Sequence, residues 1–220
     1  FEFRMVGSSD SIACANIMLN AAVAQSLKCY ADELEQAEDF NTALHERIKR
    51  TIKEHKRIIF NGNGYDDAWI REATGERGLL NLRTTPDAIP ELLKAKNVEM
   101  LTAHGVYTEA ELRSRYEIML ENYCKTVRIE AQTMSDMARK QILPAVARYA
   151  ADVARAAADK KSLDGEISCG YETKLVKKLT AVTESIDARV DALDSTIARF
   201  KTICDVTEGA NFIRDEMLSR

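Results

Sequence analysis

Hydrophobic residues return at helical spacing throughout the second half of the chain. Thr108 and Glu111 form a capping-box pattern, which predicts the start of a helix. The apolar positions that follow mostly fit one helix face, and they are Leu112, Tyr116, Met119, Tyr123, Val127, Met134, Met137, Val146 and Val153. We predict one helix of about fifty residues, kinked at Pro144 because proline lacks a backbone donor and clashes with the preceding turn.

A second helical pattern begins near Gly170, where apolar positions alternate at spacings of three and four like a heptad repeat. These positions are Leu175, Leu179, Val182, Ile186, Val190, Leu193, Ile197, Phe200 and Ile203. The connector between the two patterns, Asp159–Gly165, is short, and short connections join antiparallel neighbours. The sequence therefore predicts a long antiparallel helical hairpin, followed by a short terminal helix over Asn211–Arg220.

The first half of the chain predicts shorter helices. One extends from about residue 11 to 35, and a second follows an acidic break and covers about residues 42–56. Leu44, Ile48 and Ile52 recur every four residues in the second helix. We therefore expect this face of the helix to be packed and its charged face to be solvated.

Several short elements are predicted between residues 57 and 107. They are a helix around Trp69, a capped helix over residues 84–93 and a turn over residues 98–104. Trp69 is interpreted as a packing anchor rather than a ligand platform, because apolar residues surround it in sequence. The glycine pair in Asn61–Tyr65 lacks the Gly-Lys-Ser/Thr ending of a P-loop, so it is interpreted as a structural turn rather than a phosphate cradle.

The first five residues, Phe1–Met5, alternate between apolar and charged side chains. Successive side chains of a strand point to opposite faces, so a strand here places Glu2 and Arg4 together. Two readings are open at this point. The pair either belongs to an amphipathic edge strand with two solvated charges or contributes to an active site.

The segment FEFRMVGSSDSIACANIMLNAAVAQSL resembles the closing part of the glutamine synthetase catalytic domain, and its FEFRM-GSS form resembles the type III branch. The resemblance implies that Glu2 ligates one of two active-site divalent metals, Mg²⁺ or Mn²⁺. It also implies that Arg4 contacts substrate or the transferred phosphoryl group. Val6 departs from the pattern, since many members have proline there, and the Asn-Gly-x-Gly-Tyr segment at residues 61–65 is similar to the type III C-terminal region.

The expected fold is mostly α, with a long antiparallel helical hairpin, additional helices and one N-terminal strand left from an α+β catalytic domain. The resemblance implies two parts. Residues 1–36 form the end of the catalytic domain, and residues 37–220 form a type III-specific helical domain. The composition and the resemblance together suggest a piece of a larger protein.

The reaction that the resemblance implies is ATP-dependent glutamine synthesis, in which glutamate becomes an acyl phosphate and ammonia displaces the phosphate. The nucleotide pocket and the further metal ligands are not in this chain, so we expect it to be inactive alone. The resemblance also implies that the polypeptide associates with other copies of itself in a homo-oligomer, a dodecamer. The alternative is a non-catalytic helical module for oligomerisation or protein interaction.

Charge, hydropathy and cysteine content limit the partners, the location and the kinds of site that the sequence predicts. The net charge is -4 and no basic patch carries interleaved aromatics, so nucleic acid is not an expected partner. No apolar run is long enough to cross a membrane, and no secretory leader is recognised, so a cytoplasmic location is expected. The 5 cysteines form no Cys-x-x-Cys pair, which argues against a disulfide framework or a zinc site and predicts reduced thiols.

Overall fold

The computed structural model describes residues 11–219, and the chain divides into two compact units at the Tyr116–Glu117 boundary. We call residues 11–116 the N-terminal unit and residues 117–219 the C-terminal unit. The described residues are mostly helical and include no strand, so the expectation of a mostly α fold is confirmed. The predicted strand at Phe1–Met5 lies outside the described residues.

The N-terminal unit contains two longer helices and several short ones. Its elements are α1 (Ala13–Leu34), α2 (Phe40–His55), a 3₁₀ turn (Lys56–Ile58), α3 (Asp67–Arg71), a π-helical turn (Glu72–Glu76), α4 (Thr85–Ala88), a 3₁₀ turn (Ile89–Leu93), α5 (Ala95–Ala103) and the start of α6 (Glu109–Met137). The two predicted helices at residues 11–35 and 42–56 are confirmed. The predicted turn at 98–104 is wrong, because this segment belongs to the 9-residue helix α5.

Local capping explains where these helices begin. The Asp39 carboxylate accepts hydrogen bonds from the backbone nitrogens of Asn41 and Thr42, at 3.1 and 3.5 Å, and so starts α2. The predicted capping box at the start of α6 is confirmed, because Glu111 accepts from both the backbone nitrogen and the hydroxyl of Thr108. The core of this unit joins α1, α5 and α6 through the buried side chains of Ala21, Leu101 and Leu112.

The packed face of α2 differs from the one expected. Ile48 and Ile52 are 49% and 57% exposed, so the prediction that they are packed is wrong. The helix contacts α1 through polar side chains instead. Arg47 donates to Glu33 at 2.8 Å and lies over the Tyr30 ring at 4.3 Å, which turns the packed face of α2 away from the isoleucines.

The C-terminal unit contains the predicted hairpin. After α6 come a π-helical turn (Ala138–Ile142), α7 (Leu143–Leu163), α8 (Gly170–Phe200), α9 (Val206–Phe212) and a final π-helical turn (Ile213–Met217). Arg139 pairs with the late part of α8 and Lys160 pairs with its start, so α7 and α8 are antiparallel. The connector expected at Asp159–Gly165 is misplaced, since α7 continues to Leu163 and residues 164–169 make the turn.

The long helix is disturbed near Pro144, and the disturbance is a π-helical turn placed just before the proline. Pro144 occupies the first turn of α7, and the Leu143 nitrogen donates to the Ala138 oxygen five residues back. The wider turn accommodates the proline ring, which would clash with the carbonyl of a regular preceding turn. The disturbance therefore begins six residues before the proline itself.

The buried face of the long helix in this unit is formed by Leu120, Cys124, Val127, Ala131 and Ser135 of α6 and by Ala138 of the π-helical turn. Met134 and Met137 are 60% and 45% exposed, so the expectation that they belong to the packed seam is wrong. An α-helix has 3.6 residues per turn, and its buried face therefore drifts away from a strict heptad pattern. Of the seam on α8, Val190 and Ile197 are buried, whereas Val182 is exposed.

The terminal helix begins earlier than expected. Asp205 accepts a hydrogen bond from the Glu208 nitrogen at 2.8 Å, so α9 starts at Val206 rather than at Asn211. This helix packs against the end of α8, where the rings of Phe200 and Phe212 are 6.4 Å apart. A Cβ atom at Gly209 would lie 3.2 Å from the Phe200 ring, so glycine permits the close approach.

Candidate functional site

The two candidate catalytic residues, Glu2 and Arg4, lie outside the described residues, and their roles stay predictions. Within residues 11–219, no group of three or more His, Cys, Asp or Glu side chains is placed to hold a metal ion. The histidines that do make contacts have other roles. The His45 Nδ1 is 2.7 Å from the Asn41 oxygen within α2, and the His104 Nε2 is 2.8 Å from Gln25 Oε1.

The strongest polar cluster joins the π-helical turn after α6 to α8. Arg139 reaches three aspartates on consecutive turns of α8. Its Nη2 lies 2.6 Å from Asp191 Oδ1 and 2.8 Å from Asp194 Oδ2, and its Nη1 lies 3.6 Å from Asp187. A guanidinium presents five donors in a fixed fork, so one arginine can bind several carboxylates at once. We call Arg139 and these three aspartates the hairpin clamp.

Asp194 also makes the most buried contact of the clamp. The Ser135 hydroxyl, on a buried residue, donates to Asp194 Oδ1 at 2.6 Å. The hydrogen bond from Ser135 and the nearby Arg139 guanidinium lower the pKa of the Asp194 carboxyl below its ordinary value. Asp194 therefore stays ionised in the folded state, and it holds two turns of the long helix against α8.

The other end of the hairpin is fastened by a second ion pair. Lys160, near the end of α7, contacts Glu172 in the first turn of α8. Glu172 is buried, and the hydrogen bond from Lys160 lowers the pKa of its carboxyl. The Lys161 ammonium donates to the Gly165 carbonyl at 2.6 Å and holds the turn itself. The hairpin is thus fixed by charged contacts at both ends.

An open apolar groove of about 680 Å³ lies in the C-terminal unit. Its walls include Ile129, Met134, Met137 and Ile142 on one side and Ile186 and Leu193 of α8 on the other. The four residues of the first wall are all exposed, and together they form a continuous apolar surface in the groove. Met side chains adapt to irregular partners, so this groove has the chemistry of a protein-binding surface.

Trp69 lies in a compact stack in the N-terminal unit. The Phe60 ring stacks on it with centroids 3.8 Å apart, and the Arg77 guanidinium lies over the Trp69 ring at 4.9 Å from its centroid. Arg77 also donates to the Ile59 oxygen at 2.7 Å. A Cβ atom at Gly62 would lie 2.8 Å from the Phe60 ring, so the glycine of this turn is required by packing. These contacts confirm Trp69 as a packing anchor and the Asn61–Tyr65 segment as a structural turn.

Comparison with known proteins decides the family. The family model described as glutamine synthetase C-terminal domain matches residues 43–161, which extend from α2 to near the end of α7. The chain belongs to the glutamine synthetase family. The resemblance to the type III branch is also confirmed, since one relative carries that name.

The named relatives cover different shares of this glutamine synthetase chain. It is 35% identical over 80% of its length to a glutamine synthetase of Butyrivibrio fibrisolvens, of which it covers 26%. It is 32% identical over 93% of its length to the type-3 glutamine synthetase of Dictyostelium discoideum, of which it covers 28%. It is 33% identical over 68% of its length to a glutamine synthetase of Bacteroides fragilis, of which it covers 21%. The chain therefore spans about a quarter of the length of these relatives.

Two features of this glutamine synthetase chain were missed by sequence reasoning. The hairpin clamp depends on which residues the antiparallel register brings together, and no local period indicates this. The signal that could have found it is the spacing of Asp187, Asp191 and Asp194, which places three carboxylates along one edge of a helix. The apolar groove was missed because Met134 and Met137 were assigned to the core.

Within the described residues, no helix is long and apolar enough to span a membrane.

Proposed function

We propose that the polypeptide that carries this chain is an ATP-dependent glutamate–ammonia ligase. The observation that supports the proposal is the match of residues 43–161 to the C-terminal domain of glutamine synthetases. In the reaction we propose, glutamate is phosphorylated on its side-chain carboxylate and ammonia then displaces the phosphate to give glutamine. ATP, glutamate and ammonia are the proposed substrates.

Within this proposal, Glu2 is a metal ligand and Arg4 a catalytic residue. The carboxylate of Glu2 offers the hard oxygens that Mg²⁺ and Mn²⁺ take, and the guanidinium of Arg4 would stabilise negative charge on phosphoryl oxygens or hold a substrate carboxylate. A bound divalent metal would neutralise charge on the phosphoryl group. Residues 11–219 offer no further metal-ligand group, so we place the remaining ligands and the nucleotide pocket elsewhere in the polypeptide.

The proposed division of the chain follows from the same reasoning. We assign residues 1–36 to the end of the catalytic domain and residues 37–220 to a type III C-terminal helical domain. The division is supported by the end of α1 at Leu34, by the cap of α2 at Asp39 and by the start of the family match at residue 43. A cytoplasmic location is part of the proposal.

The test uses the full polypeptide and measures glutamine formation from glutamate, ammonia and ATP in the presence of Mg²⁺. Glu2→Ala and Arg4→Ala should each lower kcat about a hundredfold or more, since each removes a group that acts on developing charge. Raising the metal concentration should partly restore the kcat of Glu2→Ala and leave the kcat of Arg4→Ala unchanged. Glu38→Ala, in the exposed segment before α2, is the matched control and should retain the parent rate.

Two results would overturn this proposal. One is parental activity of Glu2→Ala at limiting metal, which would remove the metal-ligand assignment. The other is glutamine formation by the isolated 220-residue chain, which would contradict an active site completed elsewhere. If the full polypeptide forms no glutamine, the non-catalytic helical module becomes the better hypothesis.

We also propose that the helical domain helps the subunits of a homo-oligomer to associate, in a dodecamer. The apolar groove supports this role, because a stable monomer gains nothing from exposing four large apolar side chains along one wall. We propose that other copies of the same polypeptide occupy the groove, because the family resemblance implies a homo-oligomer. Met134→Glu places a charge in the groove and should lower the subunit number measured by analytical ultracentrifugation.

Gln132→Glu is the matched control for the groove variant, since Gln132 is exposed on the same helix and does not line the groove. It should leave the subunit number unchanged. Met134 is already 60% exposed, so its replacement should not unfold the domain. An unchanged subunit number in Met134→Glu would exclude the groove from the subunit contact.

A further inference from the structure

A second, smaller cavity of about 250 Å³ lies in the C-terminal unit, between α6 and the segment that joins α8 to α9. Its charged lining consists of Glu121, Lys125 and Arg128 from α6, and Lys201 and Asp205 from the joining segment. Three cations therefore face two carboxylates. The lining is therefore slightly positive, whereas the chain as a whole has a net charge of -4.

Both carboxylates of the cavity are already used. Glu121 pairs with Lys125 one turn later at 2.6 Å. Asp205 caps α9 by accepting the hydrogen bond from the Glu208 nitrogen. Arg128 and Lys201 have no ion pair with any residue in the described part of the chain. Arg128 and Lys201 thus line the cavity without a carboxylate within ion-pair distance among residues 11–219.

Arg128 carries the decisive observation. Its Nε is shielded from water and has no hydrogen-bond acceptor among residues 11–219. A charged donor that is buried without an acceptor is costly, so native structures rarely leave one. The Nε of Arg47 is also shielded and unpaired, but that guanidinium binds Glu33 through Nη1. Within residues 11–219 the Arg128 guanidinium has no such carboxylate, and its side chain lines the cavity.

We propose that this cavity binds a small oxyanion, either a phosphate group or a carboxylate, through Arg128 and Lys201. Arginine is well suited to this task because its parallel N–H groups match two oxygens of one anion. The cavity is smaller than typical sites for drug-sized ligands, which favours a small anion. The proposal uses neither Glu2 nor Arg4, so it does not depend on the proposed activity.

Cys204 provides a local reporter of occupancy, because it is exposed and lines this cavity. In the full polypeptide, the rate of alkylation of Cys204 by a maleimide is measured by peptide mass spectrometry. Inorganic phosphate is titrated against potassium chloride at constant ionic strength, and succinate is titrated in parallel. At about ten times the Kd of the bound anion, labelling of Cys204 should slow about tenfold. Cys29, exposed on α1, is the internal control and should label at a constant rate.

The two arms of the experiment identify the source of the oxyanion. Protection by phosphate alone assigns a phosphate site, and protection by succinate alone assigns a carboxylate site. Arg128→Met and Lys201→Met should each remove the protection when each variant is compared with itself in chloride. Arg148→Met replaces an exposed arginine that does not line the cavity, so this variant should keep the protection.

Three results would overturn the proposal. The first is equal labelling of Cys204 in phosphate, succinate and chloride. The second is slowing of Cys204 and Cys29 to the same extent, which would be a general effect of the salt. The third is full protection in both Arg128→Met and Lys201→Met. Lys201 is exposed, so the Lys201→Met variant remains informative even if Arg128→Met alters local packing. None of these readouts measures glutamine formation, so their failure is separable from failure of the proposed function.

Discussion

Arg139 and Asp194 are 55 residues apart in sequence and are joined by two hydrogen bonds, from Nε at 3.1 Å and from Nη2 at 2.8 Å to the same oxygen, Asp194 Oδ2. The other oxygen of Asp194 accepts from Ser135. One carboxylate of α8 is therefore bound from two successive turns of the long helix. A shift of either helix along its axis would break all three hydrogen bonds, so this relationship fixes the axial register of the hairpin.

The first prediction concerns the clamp arginine. Arg139→Met removes the cation that binds Asp191 and Asp194, and it leaves their negative charges close together on α8. We expect the melting temperature of the full polypeptide's helical domain to fall by a few degrees, measured by circular dichroism. Arg139→Lys should restore only part of the loss, because an ammonium cannot reproduce the planar fork.

Arg148→Met is the control for the clamp, since Arg148 is exposed on α7 and forms no ion pair with a described residue. Its melting temperature should match that of the parent. A double-mutant cycle with Asp194→Asn should show coupling, so that the two changes together cost less than their sum. Additive effects would mean that Arg139 and Asp194 do not stabilise each other.

The second prediction is a pH dependence that arises from Asp194. Its pKa is lowered in the folded state, first by the hydrogen bond from Ser135 and then by Arg139. The stabilisation is therefore complete above the ordinary carboxyl pKa of about 3.9, and it is lost as the pH falls through the lower folded-state value. Urea unfolding at a series of acidic pH values should show a shallower decline of stability in Asp194→Asn than in the parent.

Asp152→Asn is the matched control for this experiment, because Asp152 is exposed on α7 and its contact with Arg155 is a surface pair at 3.4 Å. The acid-induced decline in this variant should follow that of the parent. If Asp194→Asn and Asp152→Asn gave the same profile, the lowered pKa of Asp194 would not contribute to acid sensitivity.

The long elements could be predicted from the sequence because their signals are local. The capping box of Thr108 and Glu111 predicts the start of α6, and the regular apolar spacing predicts α8 and its antiparallel partner. The packed face was harder to predict, as Met134 illustrates. The predicted apolar face continues from Val127 to Met134, whereas Ser135 is the residue that is buried. An α-helix has 3.6 residues per turn, so an apolar pattern with a slightly different period moves away from the buried face as the helix lengthens.

The functional surfaces were less predictable because they depend on tertiary contacts. Arg128 is one charged residue among many on the sequence, and nothing local indicates that its Nε is shielded from water. Its importance follows from the segment after α8, which brings Lys201 and Asp205 to the same cavity. The catalytic candidates Glu2 and Arg4 are the reverse case, since a short local pattern and a family resemblance identified them.

The third prediction tests the buried face of α6. Leu120 is 0% exposed in the C-terminal unit, and Leu120→Ala leaves a cavity that the surrounding helices can only partly fill. The free energy of unfolding should fall by about 2–5 kcal/mol, as measured by urea denaturation. Ile118 lies two residues earlier on the same helix and is 52% exposed, so Ile118→Ala is the control and should cost far less. Equal losses in the two variants would contradict the assigned packed face.

The last prediction concerns cysteine reactivity, and it tests the same face without a mutation. The five cysteines are free thiols, as predicted, and Cys124 is buried on α6 whereas Cys29 and Cys204 are exposed. Burial raises the pKa of the Cys124 thiol, which lowers the fraction of reactive thiolate at neutral pH. Low exposure and a raised pKa act in the same direction, so Cys124 should react with a maleimide about a hundredfold more slowly than Cys29. Unfolding in urea should bring the two rates together, because both effects require the fold. Rapid labelling of Cys124 in the folded polypeptide would mean that α6 separates from its neighbours under native conditions.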